Sequence, residues 1–211
     1  LLPADVTGIS LFEKDTNQFR FHPGPIFSQL VLADELNRAP AKTQSALLEV
    51  MEEHQISVDG ETHHLPEPFF VIATQNPREQ MGTYGLPESQ LDRFLMRINM
   101  GYPDRETERE ILKGEDRREM IGKLRAVISS EQLIEWQQQV SQIHVSDSLL
   151  DYVQDIIDFS RENGHFTNGL SPRAGLALVH AAKAWAYIEQ RDIVLPDDVK
   201  QILPSVVTHR L

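Results

Sequence analysis

The sequence predicts an α/β unit followed by an all-α unit, and three observations point that way. Leu30-Val31-Leu32-Ala33 and Phe69-Phe70-Val71-Ile72-Ala73 are short apolar runs of the kind that form buried parallel strands. Between them Leu47, Val50 and Met51 recur at helical spacing across residues 42 to 54, so strand and helix alternate. Beyond Pro103 the strand pattern stops and only helical patterns follow.

Taken in order, Asp15-Thr16-Asn17 is a turn-rich stretch between Phe12-Glu13-Lys14 and Gln18-Phe19-Arg20-Phe21, which predicts a hairpin over residues 9 to 22. After the Leu30 strand, Pro40 precedes the helix of residues 42 to 54. Asp59-Gly60 is a two-residue hairpin signal between Gln55-Ile56-Ser57-Val58 and Glu61-Thr62-His63-His64-Leu65. Phe69 to Ala73 is then a second buried strand, and Phe94-Leu95-Met96-Arg97-Ile98 a third. Asp104 can cap a helix toward Lys113, and Ser129 with Gln132 forms a capping-box pattern. Ser146 precedes Leu149, Val153, Ile156 and Ile157 at helical spacing, Ser171-Pro172 opens a helix reaching Ile188, and Pro196 opens the last. A composition shift near Tyr102-Pro103 divides the chain into residues 1–102 and 103–211. The mixed charges of residues 105 to 125 read as a solvated helical face.

With 20 Lys+Arg against 32 Asp+Glu, the 211-residue chain carries a formal net charge of -12, so nucleic acid is a disfavoured partner. Zero cysteines exclude disulfides and thiolate metal sites and fit a cytoplasmic setting. No apolar stretch approaches the length of a membrane span. The chain opens on Leu1-Leu2-Pro3 without a methionine, which suggests a part of a longer protein.

The chemistry concentrates at strand ends. Asp34 and Glu35 close the first apolar run, at the carboxyl end where open α/β sheets place ligands, so Asp34 can hold Mg2+ and Glu35 can polarise an attacking water. Asn76, in Ala73-Thr74-Gln75-Asn76-Pro77, follows the second strand and can orient that water or contact a terminal phosphate; its plain alternative is a turn-former before proline. Arg93 precedes the third strand and can neutralise charge on a transferring phosphoryl group of a neighbouring subunit, or simply pair with Asp92 or Glu88. Arg173 lies in the first turn of its helix, against the macrodipole, where a ligand anion could account for it. His63 and His64 cannot converge on one metal, because adjacent strand residues point to opposite faces. Gly122-Lys123 echoes a phosphate loop, but Leu124 stands where that loop needs Ser or Thr.

Together these features resemble the MoxR family of AAA+ ATPases. The segments that carry the resemblance are Pro23-Gly24-Pro25-Ile26-Phe27, Ala33-Asp34-Glu35-Leu36-Asn37-Arg38-Ala39-Pro40, Lys42-Thr43-Gln44-Ser45-Ala46-Leu47-Leu48-Glu49, Ala73 to Pro77, and Leu86-Pro87-Glu88-Ser89-Gln90-Leu91-Asp92-Arg93-Phe94. The resemblance implies a partial AAA+ P-loop-type core, a parallel sheet with hairpin insertions, followed by an all-α lid. It makes Asp34 and Glu35 the Walker B pair, Asn76 sensor 1, Arg93 a trans-acting arginine finger and Arg173 sensor 2, with ATP and Mg2+ as cofactors. Arg38 is a further candidate for a trans contact. The first hairpin resembles the helix-2 insert and the second the pre-sensor-1 insertion, both facing the pore of a ring.

Two departures qualify the match. Gly85 stands where relatives commonly carry proline. No Gly-x-x-x-x-Gly-Lys-Ser/Thr occurs, and in the family that phosphate loop precedes the segment matching Leu1. The chain as given is therefore expected to be inactive alone, to keep its fold better than its activity, and to expose apolar surface near residues 31, 71 and 95.

The resemblance implies a homo-oligomeric, hexameric ring that couples ATP hydrolysis to remodelling or maturation of partner proteins, among them von Willebrand A-type proteins. The alternative is a degenerate or nucleotide-independent interaction scaffold; a phosphate loop upstream of Leu1 would support the ATPase, and its lack the scaffold. A DNA-translocating helicase fits poorly with the net charge.

Overall fold

The computed structural model describes residues 2–15, 17–58, 60–76, 85–114, 121–162 and 164–211. A short helix α1 (Pro3–Thr7) leads into the antiparallel hairpin of β1 (Gly8–Glu13) and β2 (Gln18–Pro23), paired from Gly8 opposite Pro23 to Glu13 opposite Gln18. Gly8 has φ +104°, and a Cβ there would lie 2.4 Å from the His22 carbonyl oxygen, so both torsion and space require glycine. At the far end of the hairpin the exposed Phe12 and Phe19 rings meet edge to face, 5.3 Å apart.

Strand β3 (Leu30–Ala33) leads to α2 (Ala41–Glu53), then to the hairpin of β4 (Gln55–Val58) and β5 (Glu61–His64), and then to β6 (Phe70–Ala73). Asp59, the first residue of the expected hairpin turn, lies outside the described residues. Strands β3 and β6 pair in parallel, Leu30 opposite Phe70 through Ala33 opposite Ala73, with α2 in the connection between them. Helix α2 buries Leu47 and Val50 against Ile26, Leu36, Ile56 and Leu65.

The sequence expectation of buried strands needs correction. Side chains of a strand alternate between faces, and among the described residues the α2 side covers one face only. Val31, Ala33, Val71 and Ala73 pack inward, whereas Leu30 and Leu32 are 60% and 64% exposed and Phe70 58%. The expected apolar surface around residues 31 and 71 is therefore present.

The third predicted strand does not form. A four-residue helix α3 (Glu88–Leu91) precedes residues 94 to 98, which run without a strand partner. Three of their backbone groups are met from the carboxyl-terminal end of the chain: the Arg97 N–H donates to the Ser205 carbonyl at 2.8 Å, and Arg210 donates to the carbonyls of Phe94 at 2.5 Å and Leu95 at 3.2 Å. Backbone groups satisfied in this way need no ladder.

The helical part contains α4 (Arg105–Leu112), α5 (Ser130–Ser141), α6 (Asp147–Glu162), α7 (Pro172–Ile188) and α8 (Pro196–Val207). Asp104 caps α4, accepting from the Thr107 N–H at 2.8 Å, and this contact holds its carboxyl below the usual range. Ser129 and Gln132 form the expected capping box of α5. The core is built on α7: Ala174, Leu178, Ala181, Ala182 and Ala186 are buried against Leu149, Val153 and Ile157 of α6 and Val199, Ile202 and Val206 of α8. Small residues let the helices approach closely, and a Cβ on Gly175 would lie 2.7 Å from Ile157 Cδ1. Arg191 grips Asp198 of α8 through two hydrogen bonds of 2.7 and 2.5 Å, which lowers the Asp198 pKa.

His209 lies buried at the seam with the core, its Nε2–H donating to the Phe94 carbonyl at 3.2 Å. Burial, then the nearby Arg210 cation, pushes its pKa below the ordinary histidine value. The unfolded chain therefore binds a proton more readily, so stability is retained above about pH 6.5 and falls as the pH drops toward the folded pKa. We expect the loss of melting temperature between neutral and mildly acidic pH to be smaller in His209→Gln than in the parent. Equal losses in thermal unfolding at matched pH would refute this account.

Candidate functional site

The parallel pairing of β3 and β6 brings their carboxyl ends together, and the groups there lock one another in place. The Thr74 hydroxyl accepts from the Glu35 N–H at 2.8 Å and donates to Asp34 Oδ1 at 2.6 Å. The ladder continues past the strands, with Thr74 N–H on the Ala33 carbonyl and Leu36 N–H on the Thr74 carbonyl, each at 3.0 Å. Buried Gln44 of α2 donates to the Leu36 carbonyl at 3.1 Å.

Held by these bonds, Glu35 adopts φ 48°, ψ 48°, the left-handed region, which costs a non-glycine residue about 1–2 kcal/mol. The turn separates the two carboxylates in role. Asp34 is exposed and anchored through one oxygen, while Glu35 is half-buried and pairs with Arg38 Nε at 2.9 Å, one short turn of helix ahead. Arg38 thus meets Glu35 of its own chain. Asn76 is half-buried, three residues beyond the end of β6. A single hard carboxylate such as Asp34 suits Mg2+, which is commonly held by one or two carboxylates plus phosphate oxygens and water. Among the described residues no group of three or more His, Asp or Glu could form a metal cage, and His63 stacks on Phe21 with centroids 4.2 Å apart.

Arg93 and Arg173 form a second constellation. Arg93 Nη1 lies 2.6 Å from Glu52 Oε2 and donates to the Leu48 carbonyl at 3.2 Å; Arg173 bonds the other oxygen of Glu52. Neither Asp92 nor Glu88 pairs with Arg93, contrary to the plain sequence reading. The Asp92 carboxylate is already engaged: Arg210 Nε donates to Oδ1 and the Ser171 hydroxyl to Oδ2, both at 2.8 Å. Ser171 also caps α7, accepting from the Ala174 N–H at 3.1 Å, so one serine fixes the start of the Arg173 helix against the residue next to Arg93. Arg173 lies against the helix dipole as expected, and Glu52 offsets it.

The structure thus gathers Asp34, Glu35 and Thr74 at the strand ends, and Arg93 and Arg173 on Glu52. Sequence reasoning missed Thr74, Glu52 and Arg210. Aligning the two apolar runs by their terminal alanines sets Thr74 opposite Asp34, a signal that was readable; Glu52 and Arg210 act across contacts of 121 and 118 residues and had no local mark.

Residues 1–96 match the model of the ATPase family associated with various cellular activities (AAA), and residues 159–211 match an AAA lid domain. The whole chain is 46% identical to the uncharacterized protein YeaC of Bacillus subtilis and 40% identical to chaperone MoxR1 of Mycobacterium tuberculosis, spanning 66% and 58% of their lengths. It is 30% identical to protein MoxR of Paracoccus denitrificans, of which it covers 69%. A crystal structure of a presumptive ATPase from Cytophaga hutchinsonii superposes on all of the chain and 66% of that protein, with TM-score 0.86 and 37% identity. A parallel α/β core joined to a helical lid defines the class as AAA+ ATPase-like. The chain belongs to the MoxR family of these ATPases.

Proposed function

We propose that the full-length protein hydrolyses ATP with Mg2+, Asp34 supplying the metal ligand and Glu35 the base for the attacking water. The observation that carries this reading is the Thr74 hydroxyl tying Asp34 Oδ1 to the strained Glu35 backbone at the ends of two parallel strands. Strain held by surrounding bonds is a property of preorganised sites. Arg38 keeps the Glu35 carboxylate in one orientation, Asn76 positions the water, and Asp34 accepts the metal while Thr74 fixes its free rotation. Mg2+ neutralises charge on the phosphate oxygens when bound.

Arg173 of the same chain and Arg93 acting on the neighbouring subunit neutralise the developing charge. The protein works as a homo-oligomeric ring, hexameric by family resemblance, in the cytoplasm, with the β1–β2 and β4–β5 hairpins lining the pore. It couples hydrolysis to remodelling or maturation of partner proteins, of which von Willebrand A-type proteins are the expected class. The chaperone designation of the Mycobacterium tuberculosis relative supports this reading. Among the described residues no helix is long and apolar enough to cross a membrane.

Thr74→Val tests the arrangement, since it keeps the shape and removes both hydroxyl bonds. Loss of a partner that orients a metal ligand typically lowers activity about 10–100-fold, and we expect that drop in kcat of the full-length protein with thermal stability little changed. Hydrolysis at the parent rate in a folded Thr74→Val protein would remove the site's main support.

A further inference from the structure

Two guanidiniums and one carboxylate meet where the helical part adjoins the α/β part. Glu52 lies in the last turn of α2, Arg93 follows α3 and Arg173 lies in the first turn of α7, so three separate elements converge on the cluster. Each Glu52 oxygen serves one arginine: Oε2 takes Arg93 at 2.6 Å and Oε1 takes Arg173. The formal charges leave a surplus of one positive charge beside a small cavity lined by Met51, Glu52, Arg93 and Arg173. A carboxylate and a phosphate offer a guanidinium the same acceptor oxygens, so only one of them can fully engage a given arginine face. The two arginines are held unequally. Arg93 has a second anchor in the Leu48 carbonyl, whereas the ion pair of the more exposed Arg173 rests on Glu52 alone.

We propose that Glu52 is a positioning residue, an internal counter-anion that competes with nucleotide phosphate for Arg173 and keeps Arg93 in place once Arg173 moves to the phosphate. The proposal rests on the assignment of Arg173 to phosphate made above. It differs from a purely structural ion pair, because removing a competitor tightens binding, whereas loosening a fold weakens it.

The test measures the affinity of the full-length protein for a non-hydrolysable ATP analogue with Mg2+. Glu52→Gln is expected to bind the analogue about two- to fivefold more tightly, the span of a partly exposed ion pair. In hydrolysis its KM and kcat should both fall, since Arg93 loses an anchor. Arg173→Ala should weaken binding, and adding Glu52→Gln to it should give no tightening. Glu53→Gln, which removes the same charge one residue along, should leave affinity unchanged. If Glu52→Gln does not fold, Glu52→Asp, which shortens the reach and keeps the charge, must still bind more tightly than the parent.

Unchanged or weaker binding in a folded Glu52 variant, or tightening that persists without Arg173, overturns the proposal while the Arg173 assignment stands. Parent-like affinity in Arg173→Ala overturns that assignment and the proposal with it.

Discussion

Glu35→Gln in the full-length protein should bind magnesium–ATP with nearly parental affinity and hydrolyse it about 10²–10⁴-fold more slowly, the contribution of a positioned general base. Glu35 sits in a left-handed turn whose backbone N–H donates to the Thr74 hydroxyl, and its carboxylate pairs with Arg38. Glutamine has the same length, retains that backbone bond and keeps one acceptor for Arg38, so folding should be unaffected. It cannot take a proton from water. Single-turnover hydrolysis separates the outcomes: a normal chemical step would show that Glu35 is not the base, whereas lost binding would assign it a structural role instead.

Arg93→Ala is expected to lower kcat by about 10³–10⁵, the range for a trans-acting arginine, with nucleotide affinity of the isolated subunit little altered. Within one chain Arg93 pairs with Glu52, and its proposed action on phosphate is on a neighbouring subunit. Mixing therefore gives the sharper readout. Arg93→Ala subunits retain Glu35, and Glu35→Gln subunits retain Arg93, so interfaces in a mixed ring that pair an intact Glu35 with an intact Arg93 should recover measurable hydrolysis. No recovery in rings shown to contain both variants would argue that the arginine works in its own chain.

Much of this architecture could be read from the sequence where neighbouring residues settle the outcome. The hairpins at Gly8–Pro23 and Gln55–His64 and the caps at Asp104, Ser129 and Ser171 depend on residues a few positions apart. Asp34 and Glu35 were legible because an apolar run ends on them. Phe94 to Ile98 misled because it has strand composition, while in the fold the Phe94 and Leu95 carbonyls accept from Arg210, 115 or more residues away. The open face of β3 and β6 was hidden from strand patterning for a related reason: an apolar run shows that two faces could be buried, and only the tertiary structure shows which are covered. The placement of Arg93 and Arg173 on one carboxylate belongs to the same class of fact. No spacing rule links Glu52 to a helix 121 residues away.

The Arg210 clamp also bears on the order in which the chain folds. Helices α6 to α8 are sequence neighbours that bury a shared core, so their contacts close short loops. Pairing of β3 with β6 closes about 40 residues, as the Asp34–Thr74 bond measures. Arg210 reaches Asp92 across 118 residues. Closure entropy rises slowly with loop length, but a contact of that span gives no return until both partners are already shaped. The helical part should therefore form early and the strand pair next, with the insertion of Arg210 beneath Phe94 and Leu95 among the last events; a refolding intermediate with native helix content but exposed Asp92 is the kinetic signature of that order.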